Sequence, residues 1–277
     1  MACRFSRQAF FLESKKDLKM TKNQWEAFCT YKNQLKKYCD ENLKFSAELK
    51  KLQIDAVGAQ SIDYEIETPV VYNTAYDELT EQDEIKLILI GDNPGKNEQL
   101  KKNCRYLVGQ SGKIGDKFFT TNPELEINFR KNVIIMNKTP VHTARTTQLK
   151  YLAKNGSDEI RRLIDDSQKL MAKMAVELHQ TLIEERAENS KIPQLWLIGY
   201  SEMKNSGIFN SYKNDFKAGY RSEDFWNQVF VYQHFSMNRF TVDLNNYRTE
   251  NPDFSLIESL ENLGHIHRDE IFGTYPA

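Results

Sequence analysis

Four short apolar runs constrain the fold more than any other feature of the chain: residues 85–90, 132–136, 194–198 and 228–232, separated by helical or irregular stretches. Runs this short and uniformly apolar suit strands buried on both faces, and strands alternating with helical spans build βαβ units around a parallel sheet. The spacer between the second and third runs carries the plainest helix. Ile160, Leu163, Ile164, Leu170, Met171, Met174, Leu178 and Leu182 trace one stripe, with Ser157 or Asp158 placed to cap its start and Pro193 beyond its end. A Met and Leu stripe at helical spacing is core packing, not a cofactor box. Asn155-Gly156 breaks the chain just before it. Upstream, Trp25, Phe28, Tyr31, Leu35 and Tyr38 recur at spacings of three and four, a second helical stretch carries Leu43, Leu49 and Leu52, and Gly58 ends the region. The expectation is an α/β domain over residues 61–277, with an N-terminal helical extension, residues 1–60, packed on its core.

Bulk composition excludes little. At 277 residues, 40% hydrophobic and 28% charged, the chain has the make-up of an ordinary globular protein, and its net charge of -1 argues neither for nor against nucleic acid. No apolar stretch approaches the roughly 18 residues of a membrane span. The amino-terminal patch at 9–12, flanked by Arg4 and Arg7, is shorter than the ~7–15 residues of a signal-peptide core, so an intracellular, cytoplasmic protein is expected. Cys3, Cys29, Cys39 and Cys104 form no C-x-x-C pair, which points to buried or free thiols rather than a disulfide framework or a zinc site.

In open α/β sheets, ligands sit beyond the carboxyl ends of the strands. Here those ends read Gly91-Asp92-Asn93-Pro94-Gly95, Asn137-Lys138-Thr139-Pro140-Val141-His142, Gly199-Tyr200-Ser201 and His234-Phe235-Ser236-Met237-Asn238-Arg239. Three of the four deliver Asn or His to one edge. Each such residue by itself is as well explained as a turn or cap; their agreement in position points to a site.

In this order the motifs resemble the uracil-DNA glycosylase superfamily: G-D-N-P-G at 91–95, V-I-I-M-N at 133–137 and H-F-S-M-N-R at 234–239. Y-L-V-G-Q-S-G at 106–112 is similar to a stretch of the iron–sulfur members, and P-V-V-Y-N-T-A-Y at 69–76 to the approach segment of the single-strand-selective monofunctional members. The likeness covers about residues 65–240. It implies a three-layer α/β/α domain around a central four-stranded parallel sheet. It also implies hydrolytic removal of uracil, or a related damaged pyrimidine, from DNA by a monomer, with base flipping and with no cofactor or metal. The four cysteines do not reproduce the iron–sulfur members' cluster pattern, so no cluster is expected.

Carried over residue by residue, the resemblance makes Asn93 the water-orienting amide, Asp92 a second water-binding group, and His234 the donor to the departing base oxygen. Asn137 would read the base, since one amide matches both O4 and N3–H of uracil and mismatches cytosine. Gly91 and Pro94 belong with the base-binding group. The platform under the base falls on Tyr106 or Leu107 according to the register chosen, with Tyr106 preferred. Ser111, Lys138, Ser236, Met237, Asn238 and Arg239 are expected at the DNA, together with a cationic stretch of Lys96, Lys101, Lys102, Arg105, Lys113 and Lys117. Arg145, near the second strand end, belongs to the same group. His142 is a weaker candidate; His179, His265 and His267 read as structural. Phe235 stands where the family carries proline. Two other classes remain open: a member of the fold that holds nucleic acid or a base without cutting, and a small-molecule hydrolytic or transferase enzyme.

Overall fold

The protein is described from a computed structural model covering residues 19–58 and 64–275. In chain order it comprises α1 (Lys22–Glu41), α2 (Ser46–Asp55), β1 (Leu87–Gly91), α3 (Gln110–Thr121), β2 (Val133–Asn137), α4 (Gln148–Asn155) and α5 (Asp158–Glu184). There follow β3 (Gln194–Ile198), α6 (Asn210–Ala218), α7 (Glu223–Trp226), β4 (Val229–Tyr232), α8 (Arg239–Glu250) and α9 (Leu256–Phe272). Each apolar run became a strand, within a residue or two of the expected bounds. The helical spacer became α5, and Ser157 is its cap, accepting from the Ile160 N–H at 3.3 Å. The first helical region is two helices, because Asn42 turns its side-chain amide onto the Tyr38 carbonyl (2.7 Å) and ends α1.

All four strands are parallel, in the order β2-β1-β3-β4. Alternate side chains leave opposite faces. Ile88, Ile90, Ile134, Met136, Leu195 and Leu197 pack into one apolar cluster with side chains of α1, α2, α4, α5 and α6. Leu87, Leu89, Val133, Ile135, Trp196 and Phe230 pack into the other with α3, α8 and the first half of α9. The result is a helix–sheet–helix layering in which α1 shares the core of the sheet. Its Gln24 amide donates to the Leu182 carbonyl of α5 at 2.6 Å.

This winding decides where a site can form. β1 is followed by a helix on one face of the sheet and β3, its neighbour, by a helix on the other, so the chain parts between their carboxyl ends and leaves a crevice. Register puts the strand ends level, Gly91 opposite Asn137 and Ile198 opposite Tyr232. The loops that follow therefore converge on one rim. Among the described residues no helix is long and apolar enough to cross a membrane. Cys29, Cys39 and Cys104 are free thiols; Cys3 and the 9–12 patch lie outside the described residues.

Candidate active site

A cavity of about 450 Å³ opens at this crevice, within the range of small-molecule sites. Asn93, Asn137 and His234, far apart in the chain, all line it, as do Gly91, Asp92, Leu107, Ser111, Ser236, Met237 and Arg239.

Asn137 ends β2 almost wholly buried, and its side-chain Nδ2 has no hydrogen-bond partner. An orphan buried amide costs ~1–3 kcal/mol. Asn137 is one of seven residues with such an atom among the described residues, and the one of them that lines this cavity. Gly91 makes room for it: a Cβ there would lie 2.8 Å from Asn137 Oδ1. Asn93 is oriented by its neighbours. Its Nδ2 donates to the Thr143 hydroxyl (2.9 Å) and to the carbonyls of Thr143 and Pro94 (3.1 and 3.2 Å), which leaves Oδ1 as the uncommitted acceptor.

His234 is held in one tautomer. The Ser236 N–H donates to Nδ1 at 3.0 Å and the Ser236 hydroxyl lies 2.8 Å from the same atom. An accepting Nδ1 carries no proton, so the ring proton rests on Nε2. Burial lowers the imidazole pKa below its usual value, against the opposing pull of the Asp92 carboxylate, so the ring is a neutral N–H donor. Phe235, in the place of the family's proline, anchors this loop. Its ring is fully buried against Phe240, and a Cβ on Gly115 would lie 2.9 Å from it.

Some expectations need correction. Lys138 does not face solvent: its ammonium is fully buried, 2.7 Å from Asp92 Oδ1, and it also donates to the Gly199 and Ile198 carbonyls (2.9 and 3.3 Å). It ties the strand ends together and is out of reach of a phosphate. Asp92 holds that ammonium through Oδ1 and accepts from the Thr146 hydroxyl (3.3 Å) through Oδ2, while still lining the cavity. Tyr106 is no platform. It is fully buried, and its hydroxyl donates to the Val71 carbonyl at 2.6 Å.

Leu107 lines the cavity instead, in a left-handed conformation (φ 51) that turns it away from the direction Tyr106 takes. Its N–H donates to Glu98 Oε1 (3.0 Å) and its carbonyl accepts from Arg130 Nη2 (2.6 Å). A Cβ on Gly112 would collide with that carbonyl, at 1.5 Å. Pro94 is buried and absent from the cavity wall. Its carbonyl accepts from His142 Nδ1 (2.8 Å), and His142 Nε2 faces the Tyr64 hydroxyl (3.2 Å), so His142 is a packing residue. Asn238 lines a neighbouring groove rather than the cavity. Of the cationic stretch, Arg105 is paired with Glu78 and Lys96 lies over the Tyr64 ring.

Several wall residues had no assigned role. Glu98, almost fully buried, clamps the two loops, accepting from Gly95 N–H (3.1 Å) as well as from Leu107; burial raises its carboxyl to about 7. Gly199, at φ +81, lets Asp92 and His234 approach each other, since a Cβ there would stand 3.1 Å from both. Its position after a strand was the only signal for it. Thr143, Thr146, Tyr200, Glu202 and Gln233 also line the wall, as does Arg145, expected at the DNA. The sequence matches no protein-family model and no curated protein.

Proposed function

We propose that the chain is a monofunctional DNA glycosylase of the uracil-DNA glycosylase type, hydrolysing the bond between a flipped pyrimidine and its sugar. The observation that carries this reading is the unpartnered Asn137 amide in a buried cavity wall, since uracil offers it an acceptor at O4 and a donor at N3. Cytosine reverses that pattern and leaves two mismatched pairs, each costing ~1–3 kcal/mol.

Asn93 Oδ1 accepts from a water and orients it toward the anomeric carbon. As the glycosidic bond breaks, positive charge develops on the sugar and negative charge on the base oxygens. The neutral His234 Nε2–H donates to O2 and stabilises the anion without surrendering its proton. The proton that the water loses on bonding to the anomeric carbon passes to solvent, from which the released base anion is protonated. Leu107 supplies the apolar surface against the base. A second reading, a member that holds the base without cutting it, is favoured by one observation: Asp92, the carboxylate beside Asn93, is occupied by Lys138.

The test is a labelled oligonucleotide carrying one uracil, incubated with protein and then treated with alkali. Scission that is lost in Asn93→Ala and His234→Ala supports the enzyme. Asn137→Ala is expected to lower the preference for uracil over cytosine by about 10–100-fold. Tight binding of the oligonucleotide with no scission supports the second reading. Neither binding nor scission overturns both.

A further inference from the structure

A second hollow, of about 580 Å³, runs between α3 and α8. Lys113 and Lys117, one turn apart on α3, face Asn245 and Arg248 of α8 across it, over an apolar floor that includes Phe118 and Leu244. No carboxylate of the described residues lines it. Several other surface cations are spent on ion pairs, among them Arg105 with Glu78, Arg161 with Asp158 and Arg221 with Glu184. Lys113, Lys117 and Arg248 have no carboxylate partner among the described residues.

The groove and the cavity adjoin at two points. On α3, Gln110 lines the groove and the next residue, Ser111, lines the cavity. In the loop after β4, Asn238 lines the groove while Met237 and Arg239 line the cavity. Met237 and Asn238 are both left-handed (φ 53 and 56), a pair of strained positions that sends neighbouring side chains into separate hollows. Met237, 72% exposed, stands on the partition.

We infer that this groove binds the sugar–phosphate backbone of a single nucleic-acid strand, the part flanking the nucleotide held in the cavity. The assignment of the strand's course rests on the proposed function; the binding chemistry does not. Unpaired cations with amide donors between them are complementary to a row of phosphodiesters. The aromatic in the floor, Phe118, is only 8% exposed and offers no bare stacking face, so contact is with the backbone and independent of sequence.

The experiment is fluorescence anisotropy with uracil-free single-stranded DNA of about 12 nucleotides, a typical site size, titrated at several salt concentrations. The triple variant Lys113→Ala, Lys117→Ala, Arg248→Ala is expected to bind ~10–100-fold more weakly at low salt, with the salt slope shallower by about 2 from three lost phosphate contacts. Its melting temperature is checked against wild type, and Arg248→Glu alone serves as a second, less invasive variant with a several-fold loss. Unchanged affinity and slope in both variants overturn the inference, as does a wild type that binds no single strand. Polyglutamate competing as well as DNA overturns the nucleic-acid assignment in favour of an acidic polypeptide. Uracil excision from a trinucleotide by the wild-type protein reports on the cavity separately. If that fails while the triple variant still loses binding to the longer strand, the glycosylase reading falls and the groove stands.

Discussion

Replacing Asp92 by Asn removes one charge from the rim of the sheet, and its cost can be worked from the contacts of Lys138. The ammonium is fully buried and has four oxygens around it: Asp92 Oδ1 at 2.7 Å, Gly199 O at 2.9 Å, Ile198 O at 3.3 Å and Gly91 O at 3.5 Å. The Asn oxygen can still accept, so the variant keeps the hydrogen bond and loses the ion pair. Breaking a buried pair from one side costs ~3–5 kcal/mol, and with three carbonyls remaining the lower end applies, about 3 kcal/mol. In a protein of this size that lowers the thermal midpoint by roughly 6–12 °C. Adding Lys138→Met removes the stranded charge, and the double variant is expected to recover much of the loss, which a double-mutant cycle measures. The pH dependence has a definite sign. Burial lowers the Lys138 pKa and Asp92 raises it, so the Asn variant leaves the folded-state value lower still. The unfolded chain then holds the proton more tightly than the folded one, and stability rises with pH up to the lysine's ordinary value. Asp92→Asn should therefore regain stability relative to wild type as pH rises toward the ordinary lysine value, read by thermal melts on the alkaline side. A midpoint within about 2 °C of wild type, with no such recovery, would refute the counter-ion role and return Asp92 to the list of groups free for chemistry.

Other perturbations separate the roles of neighbouring residues. Glu98, raised to about 7 by burial, stays protonated in the folded state where the unfolded chain has ionised it. That contribution is present below the ordinary carboxyl pKa and lost as pH rises through 7, so the stability advantage of wild type over Glu98→Gln should shrink across that window in thermal melts. His142 and His179 are both held down to about 4 by burial, so each resists protonation until the fold opens. Their stability is intact above 6.5 and lost as pH falls toward 4, on the order of 3 kcal/mol apiece, and His179→Gln should flatten the acid limb of the melting curve. Gly199→Ala places a methyl 3.1 Å from the Asp92 oxygens and from His234 Cδ2 at a positive φ. It should cost ~1–3 kcal/mol and displace the imidazole, so the excision activity proposed for this site is expected to fall further than the midpoint does.

Strands, helices and the rim on which a site would form were legible from local pattern alone. Burial on both faces of a parallel strand demands an unbroken apolar run, and the turn after each strand has to be polar because it returns to solvent. The stripe from Ile160 to Leu182 states its own periodicity. What a polar side chain does at the rim was not legible, because its partner comes from another strand. Lys138 reads as a surface cation until β1 and β3 bring Asp92 and two carbonyls around it. Tyr106 and Leu107 differ by one position, and only the left-handed turn held by Glu98, Arg130 and Gly112 decides which of them faces the cavity. The unpaired amide of Asn137 is the clearest case. Hydrogen-bond satisfaction is a property of the whole packed fold, so a missing partner becomes visible only once every neighbouring group is in place.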